Sequence, residues 1–118
     1  MEKAVLDALA SLGVDVTGSL ERMGGSEAIY IKFLKKFVDD ATFPALKSAM
    51  EGADNELKTK SAHSMKGVAA NLGLIPLQKA ALETETCLKE NRQEDAKLAF
   101  ENAEKIYNEI TAILRKLS

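Results

Sequence analysis

At 118 residues, 46% hydrophobic and 29% charged, the chain has the length of one domain, 1–118, and can bury a modest core. Sixteen basic against eighteen acidic side chains leave a net charge of −2, without the basic stripe that nucleic acid requires, and no apolar run approaches the ~20 residues of a membrane span. No secretory signal opens the chain and the single cysteine, Cys87, cannot close an internal disulfide, so a cytoplasmic monomer is expected, with no nucleic acid or membrane among its partners.

Tryptophan is absent and prolines number two, so alanine and leucine must fill most of the interior, which favours helices. Glu2 to Leu12 is amphipathic, with Val5, Leu6, Leu9 and Leu12 on one side, and Gly13 ends it. Asp15 or Thr17 is placed to cap a brief turn through Met23, closed by Gly24-Gly25. Ser26 is a fitting N-cap for the next helix, in which Ile29, Tyr30, Phe33, Leu34, Phe37, Val38 and Ala41 make a wide core face. Pro44 interrupts the pattern, either as a kink or in the first turn of a new helix capped by Thr42.

Asp54 then caps a helix that ends at Gly73 and contains the only histidine, His63. At 100° per residue, Leu57, Met65, Val68, Ala69 and Leu72 form an apolar face roughly opposite the imidazole. Lys66, Gly67, Ala70 and Asn71 fall within about 80° of the ring and share its solvent-facing stripe. The next helix runs from Ile75 or Pro76 to Glu90, with Leu77, Ala81, Thr84 and Leu88 as its seam and Asn91 closing it. A last helix from Gln93 to Lys116 repeats Ala99, Ala103, Ile106, Ile110, Ile113 and Leu117. The expected fold is all-α: an antiparallel up-down four-helix bundle with one or two short N-terminal helices.

Gly67 is the anomaly in the stripe. A glycine inside a helix costs roughly 0.5–1 kcal/mol relative to alanine, and here ordinary helix formers would be free to sit. The reading that accounts for it is close approach of another molecule to the backbone beside the ring. Lys66 adds a mobile ammonium suited to an anion, and a solvent-facing imidazole offers a nucleophilic ring nitrogen near neutral pH. A convex helix face can present such a group to a partner but cannot enclose a small substrate. No nucleotide-binding glycine loop, catalytic triad spacing or metal-ligand cluster accompanies it, so neither an enzyme nor a metal site is expected.

His63-Ser64-Met65-Lys66-Gly67 followed by Asn71-Leu72-Gly73 resembles the signature of histidine phosphotransfer (HPt) domains of two-component phosphorelays, His-x-Leu-Lys-Gly and then Asn-Leu-Gly. Met65 stands where leucine is most common, and the similarity extends over about residues 12 to 90. The resemblance implies a phosphorelay carrier without catalytic machinery of its own. His63 would accept a phosphoryl group from a phospho-aspartate receiver domain or a histidine kinase and pass it to another receiver aspartate. Lys66 would steady the phosphate charge and Gly67 would admit the partner's loops. The imidazole-orienting position on the following helix is Glu85 here, where many relatives carry glutamine. Ser64, Ala70, Asn71 and Gln78 are assigned to the partner interface, although for Asn71 a structural role, bonding backbone near the helix end, is the favoured reading. Val5, Leu9 and Met23 are either a docking ledge or, as expected from packing, part of the bundle. The implied partners are response-regulator receiver domains and a histidine or hybrid kinase. No cofactor is expected on this chain, magnesium belonging to the receiver. A helical adaptor that had lost the chemistry would lack the histidine or the lysine, and both are present. Met1 and a last helix running out at Ser118 suit a small free-standing protein, and a segment of a hybrid or chemotaxis-type kinase would read alike.

Overall fold

A computed structural model describes residues 2–117; the terminal residues Met1 and Ser118, on which the free-standing reading rests, lie outside the described residues. The described chain forms α1 (Glu2–Ser11), α2 (Val16–Arg22), α3 (Glu27–Val38), α4 (Thr42–Met50), α5 (Asn55–Asn71), α6 (Ile75–Lys89) and α7 (Gln93–Leu114). Each start that the sequence marks with a capping side chain before α2, α3 and α5 is made by that side chain. Asp15 Oδ1 accepts from the Gly18 N–H at 2.9 Å, Ser26 Oγ from Ile29 at 3.2 Å and Asp54 Oδ1 from Leu57 at 3.1 Å. Thr17 caps nothing.

The ends obey the same local chemistry. Leu74 N–H reaches the Ala69 carbonyl at 2.9 Å and Gly73 N–H the Ala70 carbonyl at 3.2 Å, a Schellman closure with Gly73 at φ +70°. Asn91 closes α6 in the same way at φ +56°. Between Val38 and Thr42 the helix is interrupted, so the rod preceding the histidine helix is two helices. The Thr42 cap expected there is not formed. Asp40 Oδ1 instead accepts the Thr42 N–H at 2.8 Å, and Pro44 falls in the first turn of α4, where its missing N–H is not needed.

The four-helix bundle consists of α3 with α4, α5, α6 and α7 in antiparallel order, α5 lying between α4 and α6 and α6 between α5 and α7. The short α1 lies against α7, and α2 touches both α1 and α3. Val5 and Leu9 are buried and Met23 is packed on the core, so these residues are bundle and not ledge. Leu77, Ala81, Thr84 and Leu88 are buried in α6 as their spacing predicts.

Three apolar faces differ from the sequence reading. The buried row of α5 is Ala62, Met65, Ala69 and Leu72, with Val68 half-buried and Leu57 exposed, because α5 meets α4 and α6 on a line turned away from Leu57. On α3, Tyr30, Ile31, Leu34 and Phe37 are buried while Ile29 and Phe33 face water, since that helix is covered on one side only. The α7 seam is rotated by about one residue. Tyr107, Phe100 and Leu114 are buried and Ile106 and Ile113 only partly so. The cause is a ring stack, Phe43 lying 3.9 Å from Tyr107 and 5.6 Å from Phe100 between ring centres, which draws the aromatic edge of α7 inward.

The N-terminal arm is fastened to the end of the histidine helix. The Tyr30 hydroxyl donates to the Leu72 carbonyl and the Asp15 N–H to the Gly73 carbonyl, both at 2.8 Å. The α5–α6 turn is thereby pinned from outside the two helices it joins.

Candidate functional site

His63 sits near the middle of α5 with its side chain 66% exposed, on the outer face of the bundle. Across from it on α6, the Glu85 side chain is only 3% exposed and its Oε2 lies 2.9 Å from His63 Nδ1. Two cations share this carboxylate. Lys66 Nζ stands 2.9 Å from Oε1 and Lys89 Nζ 3.2 Å from Oε2. The Lys66 contact is an ion pair off the hydrogen-bond direction, so the buried Oε1 has no directed donor. Burial alone would raise the Glu85 carboxyl. Lys66, His63 and Lys89 together outweigh that and hold it down at about 2, from an ordinary 4.5.

An ionised carboxylate only accepts, so the proton between the two groups belongs to His63 Nδ1. The other ring nitrogen, Nε2, then carries a lone pair and points away from the partner that holds the ring. Glu85 thus sets the tautomer and the orientation, as acids behind other histidines do. The same carboxylate gives the domain an acid sensitivity of known sign. Its folded value lies below its unfolded one, so its stabilisation is complete above pH 4.5 and is lost as the pH falls towards 2. Over that interval the loss is about 3 kcal/mol, taking about 1.4 kcal/mol per unit for a nearly buried group. Urea melts of the wild type against Glu85→Gln between pH 5 and 2 are expected to converge as the pH drops. Parallel curves would mean that Glu85 is not held as an anion.

The other sequence-derived residues divide by position. Gly67 has nothing within 4 Å of where a Cβ would stand, so the lane beside the imidazole is open. Ser64 and Asn71 are exposed, and Ala70 and Gln78 are half-buried. The Asn71 side chain makes no hydrogen bond among the described residues, which removes the backbone-bonding reading. Ser64 borders a shallow groove with Ala41, Thr42 and Ala45 of the α4 side. Lys66 is not free in front of the ring as its spacing suggests, because the buried carboxylate draws its ammonium sideways to α6.

Two features lie beyond the sequence reading. Lys89 belongs to the charge cluster, and its i,i+4 spacing from Glu85 was the signal that could have found it. The exposed Phe33, 43% accessible, lines a groove with Lys36, Val68, Asn71 and Leu72, so an apolar flank borders the histidine helix from α3. On the other side, Leu82 and Gln78 stand one and two turns before Glu85 on α6, Leu82 exposed. The imidazole, 66% exposed, is not enclosed by the described residues. Among the described residues no group of three or more histidine, cysteine or acidic side chains is placed to hold a metal ion, and no helix is long and apolar enough to cross a membrane.

The chain matches no curated protein and no solved structure. The family model described as Hpt domain matches residues 32–117, which takes in α4 to α7 whole, the histidine, its lysine and glycine, and the carboxylate facing them. With a helical bundle on the page and that match spanning most of its length, the chain belongs to the Hpt domain family.

Proposed function

We propose that this Hpt domain, a phosphotransfer carrier of two-component signalling, takes its phosphoryl group on Nε2 of His63 from the aspartyl phosphate of a receiver domain and returns it to another receiver aspartate. The observation that carries the reading is the His63 Nδ1 to Glu85 bond, which leaves Nε2 as the outward nucleophile. In the forward step an Nε2–P bond forms, the O–P bond of the aspartyl phosphate breaks and the aspartate leaves as a carboxylate. The Nδ1 proton stays where it is. The ring becomes cationic as the bond forms, and the ionised Glu85 beside it stabilises that charge more in the product than in the free imidazole.

The carrier supplies little else. Magnesium and the general electrostatics of phosphoryl transfer belong to the receiver. Lys66 adds a cation within one helical turn of the ring, and the bare backbone at Gly67 admits the receiver's loops. Phe33 and Val68 on one side, and Leu82 and Gln78 on the other, offer apolar and amide contacts around a polar centre, as a transient interface needs. Ser64, Ala70 and Asn71 fall inside that outline.

The test is to mix the protein with receiver domains phosphorylated on aspartate and look for an acid-labile, alkali-stable phosphate on this chain. Its absence with every receiver and with histidine kinases would overturn the reading. Gly67→Gln refines it. The variant is expected to be as helical as the wild type, or more stable by about 0.5–1 kcal/mol, because a non-glycine residue replaces glycine in an open helical position. Transfer should nevertheless fall by about 10²-fold, since a displacement of an ångström at the reacting atoms costs that much. Unchanged transfer rates with Gly67→Gln would show that the glycine does not serve close approach.

A further inference from the structure

Glu85 is a single buried carboxylate facing three donors, and phosphoryl transfer asks one of them to leave. Lys66 pairs with Oε1, the carboxylate oxygen that His63 Nδ1 does not use, so it can leave without touching that bond. It is also the cation nearest in the helix to the imidazole, one turn on, and the one that a phosphoryl group on Nε2 would attract. Its departure alone would leave Glu85 with the imidazole as its only partner. Lys89 prevents that, because it holds Oε2, the same oxygen that accepts from His63 Nδ1, and it reaches there from α6 itself.

We propose that Lys89 is a positioning residue for the transfer, keeping the Glu85 carboxylate neutralised and aimed at His63 Nδ1 when Lys66 turns to the phosphoryl group. The inference rests on the reading of His63 as the phosphate carrier, yet the hand-over it describes is testable without any phosphate. Lys66 and Lys89 have different duties on one acid. The first exchanges the carboxylate for the phosphoryl oxygens, and the second stays. An ordinary exposed i,i+4 pair on a helix would have no such consequence, since removing it changes nothing beyond the pair.

The experiment uses the whole chain with nitrogen-15 in the histidine ring. In Lys66→Met, which imitates the departed lysine, the hydrogen-bonded Nδ1 proton of His63 should remain visible and slow to exchange. In Lys66→Met/Lys89→Met it should be lost or exchange at least about tenfold faster, and Lys66→Met/Lys89→Arg should restore it, with circular dichroism reporting helicity throughout. In the transfer assay, Lys89→Met alone should lower the rate of phosphohistidine formation about tenfold, with Lys89→Arg close to wild type and Lys79→Met, exposed elsewhere on α6, unchanged. A double methionine variant that keeps its Nδ1 proton at the wild-type exchange rate overturns the proposal, as does loss of that proton in Lys66→Met alone. If the proton behaves as described but no variant, wild type included, takes up phosphate, the carrier reading fails while the positioning of the ring by Lys89 stands.

Discussion

His63→Gln is expected to abolish phosphate uptake while the bundle melts as before. The chain has one histidine, so no second imidazole can take over, and removing a nucleophile outright costs at least about 10³-fold in rate. Glutamine is the informative replacement. Its side-chain amide can donate to Glu85 Oε2 in place of Nδ1–H, so the buried carboxylate keeps a neutral donor and both lysines. The ring itself is largely in water, which limits the packing lost, and stability should stay within about 0.5 kcal/mol of wild type. The measurement is phosphate transfer from a phosphorylated receiver, read as acid-labile label on the chain, beside a urea melt. Label of wild-type intensity on the variant would place the acceptor elsewhere. A collapse of stability would mean that the imidazole is a structural group in its own right.

What could be read in the sequence was the chemistry that works over four or five residues. Asp15, Ser26 and Asp54 announce helix starts because a short side-chain oxygen beside a free N–H has one good use, and Gly73 and Asn91 announce ends because few residues accept a positive φ. The stripe of His63, Lys66 and Gly67 was legible for the same reason, since helical spacing alone puts them side by side. The side of each helix that its neighbours cover was harder to read. Leu57 and Phe33 have the spacing of core residues and face water, while Tyr107 turns inward to stack on Phe43. Amphipathic period defines a face to within a residue or so, and the crossing of the next helix decides the remainder. The direction of Lys66 was hidden for a related cause. Its backbone position follows from α5, but its ammonium goes where an acid is buried, and that acid is on α6. A long flexible side chain reports its environment, not its spacing.

Gly73→Ala is the substitution expected to damage the fold most, by about 3–4 kcal/mol, although Gly73 lies in the same signature as the histidine. Two costs combine. Gly73 has φ +70°, where alanine is strained by about 1–2 kcal/mol. Its new Cβ would also be driven onto Ser19 Oγ and to 2.7 Å from the Asp15 carbonyl oxygen, and Ser19 is fully buried. The arm must retreat, breaking the Asp15 N–H bond to the Gly73 carbonyl, which adds about 1–3 kcal/mol for a polar group left without its partner. The melting temperature should fall by roughly 10–20 °C for a domain of this size. Gly67→Ala, six residues earlier and inside α5, should do the opposite and raise stability by about 0.5–1 kcal/mol, because its Cβ meets nothing within 4 Å and its backbone is already helical. The pair separates two reasons for glycine in one short motif: Gly73 serves the arm that seats against the α5–α6 turn, and Gly67 serves whatever comes to the imidazole from outside. Equal melting temperatures for Gly73→Ala and wild type would mean that the arm is not seated there. Below its lowered melting point, Gly73→Ala should still accept phosphate at near the wild-type rate, since the packing of α5 on α6, and not the arm, holds His63 against Glu85.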